Sequence, residues 1–175
     1  MIETFQGKIP IIHPNVFIAK NATVIGDVKI EEQASIWFQT VIRGDLNSTY
    51  IGKRSNIQDL SVIHQSPTLP VIIEDDVTIG HQVTIHACTV KKNALIGMGS
   101  MVMDGSVVGE NALVGAGSLL SPNTIIPPYT LALGRPAKVI RELTEEDIKE
   151  MKRIKTSYVE KGIYYLNETN MGNLK

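Results

Sequence analysis

Val90, Ile96, Val102, Val108, Val114, Leu120 and Ile126 follow one another at six-residue intervals. An amphipathic helix repeats its apolar face near every 3.6 residues and an alternating strand every 2, so neither produces this register. A hexad repeat predicts a parallel β-helix in which each repeat forms one side of a triangular coil. The register extends upstream through Ile18, Val24, Ile30, Ile36 and Ile42, then Ile51, Ile57 and Ile63, then Ile73, Ile79 and Ile85. The longer step from Ile42 to Ile51 predicts an insertion around Asn47-Ser48-Thr49, and the step from Ile63 to Ile73 predicts another at a corner. Pro67 and Pro70 suit that corner because they cannot donate ladder hydrogen bonds. Roughly five to six coils are expected, with Gly26-Asp27, Gly97, Gly109, Asn111 and Gly115-Ala116-Gly117 at corners that favour positive φ.

A stacked β-helix leaves an open edge at each end, so caps are expected. Residues 1–12 read as the N-terminal cap of a hexapeptide-repeat β-helix domain spanning 1–140, and 141–175 as a C-terminal helix and tail packed on it. Thr144 reads as the helix N-cap, followed by acidic Glu145, Glu146 and Asp147, with Asp147 in the capping-box position. Ile148, Met151, Ile154, Lys155 and Tyr158 follow helical spacing and predict the face that meets the β-helix. The helix is expected to end near Gly162, and Asn167 onward to form a frayed tail.

At 175 residues the chain fits a single folding unit, and 43% hydrophobic with only 5% aromatic residues suits a narrow aliphatic lumen. A net charge of −1 gives no ground for a nucleic-acid or anionic-membrane partner. Without a charged-then-apolar leader or a long apolar run, the chain reads as soluble, unexported and cytoplasmic. The lone Cys88 allows no internal disulfide, fits a reducing compartment, and reads as a small buried hydrophobe.

The register also places the histidines. His64 and His86 each follow a repeat's leading isoleucine, three repeats apart, which is one full coil. They should project from one wall about 4.8 Å apart, a spacing that lets two imidazoles share a divalent metal. His81 sits one residue later in its own repeat, on the preceding side of the triangle, and reaches that metal only from another subunit. Three-sided prisms associate naturally about a three-fold axis, so a metal shared between subunits of a homotrimer is predicted. Arg43 lies one coil below His64 and Asp59 one coil below His81, which sets Arg43 against Asp59 of the adjoining copy. Asp45, Asn56 and Gln58 border the same space. A lone outward histidine is usually surface polarity; three in two facing columns, above Arg43 and Asp59, favour ligation. His13, followed by Pro14, carries no assigned role.

The segments Arg43-Gly44-Asp45, Asn56-Ile57-Gln58-Asp59, His64, and His81 with His86 resemble the γ-class carbonic anhydrases over nearly the whole chain. The nearest match is the carbonic anhydrase-like (ferripyochelin-binding protein-like) branch lacking the acidic loop. The resemblance implies a left-handed coil, a hand that the general rule for parallel crossovers does not give. It implies a homotrimer holding Zn2+, or alternatively Fe2+ or Co2+, through His64 and His86 of one subunit and His81 of the next. It further implies that Gln58 orients the water on the metal, with Asn56 beside it. Arg43 and Asp59 would hold the interface and Asp45 join the hydrogen-bond network. Tyr158 would overhang the site, with Tyr164 and Tyr165 competing for that place.

The implied activity is reversible hydration of carbon dioxide to bicarbonate, driven by a divalent ion that brings the pKa of its water toward ~7. Founding members carry a glutamate directly after the Arg-Gly-Asp and another in the loop after the first ligand, both linked to proton transfer. Here Leu46 takes the first position and Gln65–Pro70 holds no carboxylate, so slower turnover is expected. Two alternatives share the repeats. One is a hexapeptide acyltransferase or acyl-CoA thioesterase, suggested by Gly134-Arg135-Pro136-Ala137-Lys138; the other is a non-enzymatic metal- or siderophore-binding trimer.

Overall fold

Every leading aliphatic from Val24 to Ile126 turns into one lumen, none more than 2% exposed. The computed structural model describes residues 1–172 and contains a parallel β-solenoid closed by one C-terminal helix, Glu145–Gly172. One face stacks Phe17–Ile18, Ser35–Ile36, Asn56–Ile57, Thr78–Ile79, Leu95–Ile96, Leu113–Val114 and Thr130–Gly134. That is about seven turns, more than the hexads alone suggested. The last rung comes from chain beyond the hexads, where Ala132 fills the lumen above Val114. Ile2–Glu3 and Ile11–Ile12 pair in parallel with Thr23–Ile30, so residues assigned to a cap extend the ladder itself. At the other end Ala137–Glu142 folds back antiparallel on Thr130–Gly134.

The predicted insertions appear as changes of register. Gly26 pairs with Gly44, whereas Val28 pairs with Thr49, so three extra residues are absorbed at the corner between. The next coil carries its longer excursion, Gln65–Pro70, on the same corner, where Asn47 Nδ2 donates to the Pro67 carbonyl at 3.4 Å. The coil above that compensates: Ile85 stacks on Ile63 and Val90 on Ile73, leaving only Ala87-Cys88 between neighbouring faces.

The glycines divide the corner work differently from the expectation. Gly97, Gly109 and Gly115 do not adopt positive φ; a Cβ on Gly97 would stand 2.5 Å from Ala116 N, so these positions admit the next coil's backbone. The left-handed corner residues are mostly not glycine. Gln39, Leu60, Gln82, Gly99 and Gly117 form one column, and each of Leu60, Gln82 and Gly99 donates its N–H to the coil below at 2.8–3.0 Å. Stacking hydrogen bonds thus hold side-chain-bearing residues in a conformation that costs about 1–2 kcal/mol in a free chain.

Thr144 and Asp147 form a reciprocal capping box: Asp147 N donates to Thr144 Oγ1 at 3.2 Å and Thr144 N to Asp147 Oδ2 at 2.8 Å. Arg141 adds two hydrogen bonds to the same carboxylate and holds its pKa well below the usual range. The helix does not stop at Gly162. A Cβ there would come 3.1 Å from Ser35 Cβ, so the glycine is the point of closest approach to the solenoid rather than a C-cap. Of the anticipated tail, residues 173–175 lie outside the described residues. Met151 is buried and Tyr158 and Leu166 pack on the core, while Ile148 remains 40% exposed, contrary to the expected stripe. No helix among the described residues is long and apolar enough to cross a membrane.

Asp76 ties the helix down. Arg54 donates to both its oxygens at 2.8 and 2.7 Å, and Lys155 of the helix stands 3.3 Å away. Burial pushes this carboxyl up, but the Arg54 hydrogen bonds and the Lys155 charge outweigh it and hold the pKa below its ordinary value. A depressed native pKa stabilises the fold above the unfolded value, near 3.9, and that contribution fades as pH falls through the native one. Asp76→Asn is therefore expected to lose about 1–3 kcal/mol at neutral pH. In urea denaturation, its midpoint should converge on that of the wild type as the buffer is taken below about pH 4.

Candidate functional site

The ladder places Arg43, His64 and His86 in one column, Arg43 opposite His64 and His64 opposite His86. All three project from a face whose inner residues, Ile42, Ile63 and Ile85, are fully buried, so alternation turns their side chains outward. His64 Nδ1 and His86 Nε2 approach to 3.2 Å, with ring centroids 5.2 Å apart. The remaining nitrogen of each ring is held by a carboxylate: His64 Nε2 by Asp45 Oδ1 at 3.0 Å, and His86 Nδ1 by Asp104 Oδ1 at 2.6 Å. Arg43 Nη1 in turn donates to Asp45 Oδ2. Burial raises the Asp45 carboxyl, yet the hydrogen bonds from Arg43 and His64 bring its pKa below the ordinary value. Asp45 is thus ionised at neutral pH and accepts from both neighbours.

His81 occupies the corner at the opposite edge of this face, just before the left-handed Gln82. His86 ends the strand Thr84–His86, whereas His81 lies in the turn before it, so the two stand at opposite edges within one chain. Among the described residues no three His, Cys, Asp or Glu side chains gather into a metal-holding group. Asp59, one coil below, lies 2.8 Å from His81 Nδ1, and Tyr158 Oη lies 3.3 Å from His81 Nε2. Asp59 precedes Leu60, which is also left-handed, so the stacked corner presents both side chains in the same way.

Asn56 and Gln58 stand on the coil below, both buried. Gln58 Nε2 donates to Asn56 Oδ1, and Asn56 Nδ2 to Thr78 Oγ1, each at 3.0 Å. Of the three competing tyrosines, Tyr158 reaches a site histidine, with its hydroxyl 3.3 Å from His81 Nε2. Tyr165 packs its ring on Phe17, Trp37 and Phe38, and Tyr164 is 63% exposed. Burial pushes the Tyr158 phenol up, with the Asp59 charge adding to it, so the hydroxyl stays protonated at neutral pH. With Asp59 accepting from Nδ1, that hydroxyl donates to Nε2.

One chain therefore presents two half-sites on opposite edges of a face. The first holds His64, His86, Asp45 and Arg43; the second holds His81, Asp59, Asn56, Gln58 and Tyr158. Asp104 is an addition to the residues anticipated. Its hexad gave no signal, because a carboxylate beside a corner glycine reads as turn chemistry.

Similarity to known proteins follows the same lines. The family described as bacterial transferase hexapeptide (six repeats) matches residues 9–44 and 87–122. A protein named carbonic anhydrase from Geobacillus kaustophilus is 64% identical over 165 residues, 94% of this chain and 91% of that protein. The uncharacterized transferase YtoA of Bacillus subtilis is 62% identical over 94% of this chain and 96% of its own. Among solved structures, a Bacillus cereus protein provisionally described as an acetyltransferase aligns with a TM-score of 0.94 at 58% identity, covering 95% and 96% of the two chains.

Cys88 is 3% exposed, and burial pushes its thiol up to about 12. It is thus packing material rather than a nucleophile. Iodoacetamide at pH 8 should leave the folded protein unlabelled and modify one thiol per chain in denaturant, as mass spectrometry would show.

Proposed function

The chain belongs to the γ-class carbonic anhydrase-like family, and on that premise we propose that it hydrates carbon dioxide reversibly to bicarbonate at a divalent metal held between subunits of a homotrimer. The observation that carries the reading is the 3.2 Å approach of His64 Nδ1 to His86 Nε2, when Asp45 and Asp104 already take the other ring protons. Two neutral rings so arranged face each other lone pair to lone pair, which repels unless a cation lies between them. Nitrogens bound tetrahedrally at 2.0–2.1 Å stand about 3.3–3.4 Å apart, so the pair is already close to the edge of a Zn2+ coordination shell. His81 from the adjoining subunit would be the third ligand, with Fe2+ or Co2+ as alternatives to zinc.

A divalent ion in this place supplies Lewis acidity, lowering the pKa of water toward about 7. The chain's own groups set the geometry around it. Asp45 and Asp59 hold the ring protons of His64 and His81, fixing the tautomers that leave a lone pair for ligation. The Gln58 amide donates to Asn56, which leaves Oε1 as the Gln58 atom that can accept a hydrogen bond from the attacking water. Tyr158, protonated, donates a hydrogen bond to whatever acceptor replaces His81 Nε2 once that nitrogen is engaged. It therefore orients and does not act as a base. Arg43, 46% exposed at its side chain and bonded here to Asp45, would meet Asp59 of the adjoining copy across the joint. A buried thiol without a disulfide suits a reducing cytoplasm.

The transferase-named relatives favour a second reading, acyl transfer from CoA. The Gly134–Ala137 turn lies in the terminal hairpin, three rungs from the His81 coil and so about 14 Å along the solenoid axis. The two readings separate in one assay series. Protein loaded with zinc, cobalt or anaerobic iron(II) is expected to hydrate carbon dioxide above the aqueous-metal background and to lose the activity on chelation. Background rates in all three forms, with stoichiometric CoA binding that survives chelation, would transfer the assignment to acyl chemistry.

Sharing of ligands makes its own prediction. Neither His64→Ala nor His81→Ala trimers should hold metal, whereas co-refolded equal mixtures should regain about a quarter of the wild-type sites, because each site draws on two chains. Metal analysis of the repurified mixture decides it; no recovery would refute the shared site.

A further inference from the structure

We infer that Asp104 is the positioning residue for His86, fixing the ring so that Nε2 faces the cation site. The inference rests on the metal-site reading above and extends it to a residue outside the recognised motif segments. Asp104 Oδ1 is 2.6 Å from His86 Nδ1, a short charge-assisted hydrogen bond. An imidazole that gives its Nδ1 proton to a carboxylate keeps its lone pair on Nε2, and it is Nε2 that lies 3.2 Å from His64 Nδ1.

The placement of Asp104 follows from the coil geometry. Ile85 stacks beneath Val102 and Thr89 beneath Val107, so the upper coil takes one residue more around this corner than the coil bearing His86. Met103 follows the strand Met101–Val102, and Asp104 sits in this longer corner with its carboxylate at His86 Nδ1. Its backbone is held on both sides: Gly105, at φ +69, donates to the Ala87 carbonyl at 2.8 Å, and the Asp104 carbonyl accepts from Asn123 N at 2.8 Å. The pair is only partly covered, with side-chain exposures of 29% for His86 and 35% for Asp104. A half-exposed ion pair contributes little to folding, so its removal should be felt at the site before it is felt in stability.

Asp104 completes a pattern. Asp45 serves His64, Asp59 serves His81 and Asp104 serves His86, so every candidate ligand has its own carboxylate. Losing such an outer partner typically lowers metal affinity about 10- to 100-fold.

The test is zinc affinity of the purified full-length protein by competition with a chromophoric chelator, with the Co2+ ligand-field spectrum as a second readout. Asp104→Ala should bind zinc about 10- to 100-fold more weakly and alter the Co2+ bands, with an unfolding midpoint close to that of wild type. Asp104→Asn, which keeps an acceptor oxygen at the same reach, should recover part of the loss. Wild-type affinity and spectrum in Asp104→Ala would overturn this inference alone. Failure of the wild type itself to take up stoichiometric metal would overturn the metal-site reading and this inference with it.

Discussion

Parallel pairing of each coil on the one beneath is the constraint from which the rest of the molecule follows. It fixes Arg43, His64 and His86 in a single file, and it does so through backbone geometry rather than through contacts between those side chains. The aliphatic lumen makes the file rigid. A slip of one residue would turn Ile42, Ile63 and Ile85 out to solvent and carry the polar residues inward, at several kcal/mol per coil. The polar residues of the wall therefore inherit their precision from a core they never touch.

On that rigid wall the carboxylates do the chemical work of preparation. A histidine imidazole has two ways of placing its proton, and each leaves a different nitrogen free. Here Asp45, Asp59 and Asp104 make the choice for His64, His81 and His86, and Arg43 helps to keep Asp45 ionised. If both rings are neutral, as the metal-site proposal requires, two lone pairs face each other across 3.2 Å, an arrangement that a bound cation would relieve.

Much of this was legible in the sequence because the repeat converts distance along the chain into position in space. Both insertions, the shared wall of His64 and His86, and the corner neighbours Asp59 and His81 could be read by counting from one leading aliphatic to the next. What could not be read lies where counting fails. Asp104 depends on one coil rounding a corner in a residue more than the coil below, and the hexad register is blind to corner length. Gly162 looked like a helix stop because its demand is tertiary: Ser35 comes too close for a side chain. Likewise Gly97 and Gly109 resembled turn glycines when their task is to let a neighbouring strand pass. The choice among Tyr158, Tyr164 and Tyr165 needed the azimuth of the helix on its face, which periodicity alone does not supply.

The wall is also too stiff to complete its own site. His81 and His86 stand at opposite edges of one face, joined by a turn and a short strand between which Val83 is fully buried. Closing that gap within a chain would require unstacking a rung, which exposes Ile79 and Ile85 together at about 1.5–3 kcal/mol for each side chain. Bringing a second copy's edge alongside needs no change in either solenoid. Under the metal-site proposal, the same rigidity favours assembly between chains over rearrangement within one as the way a third imidazole would join His64 and His86. Leu46, Leu60 and Val62, each more than 40% exposed on or beside this face, are apolar surface that such an assembly would remove from water.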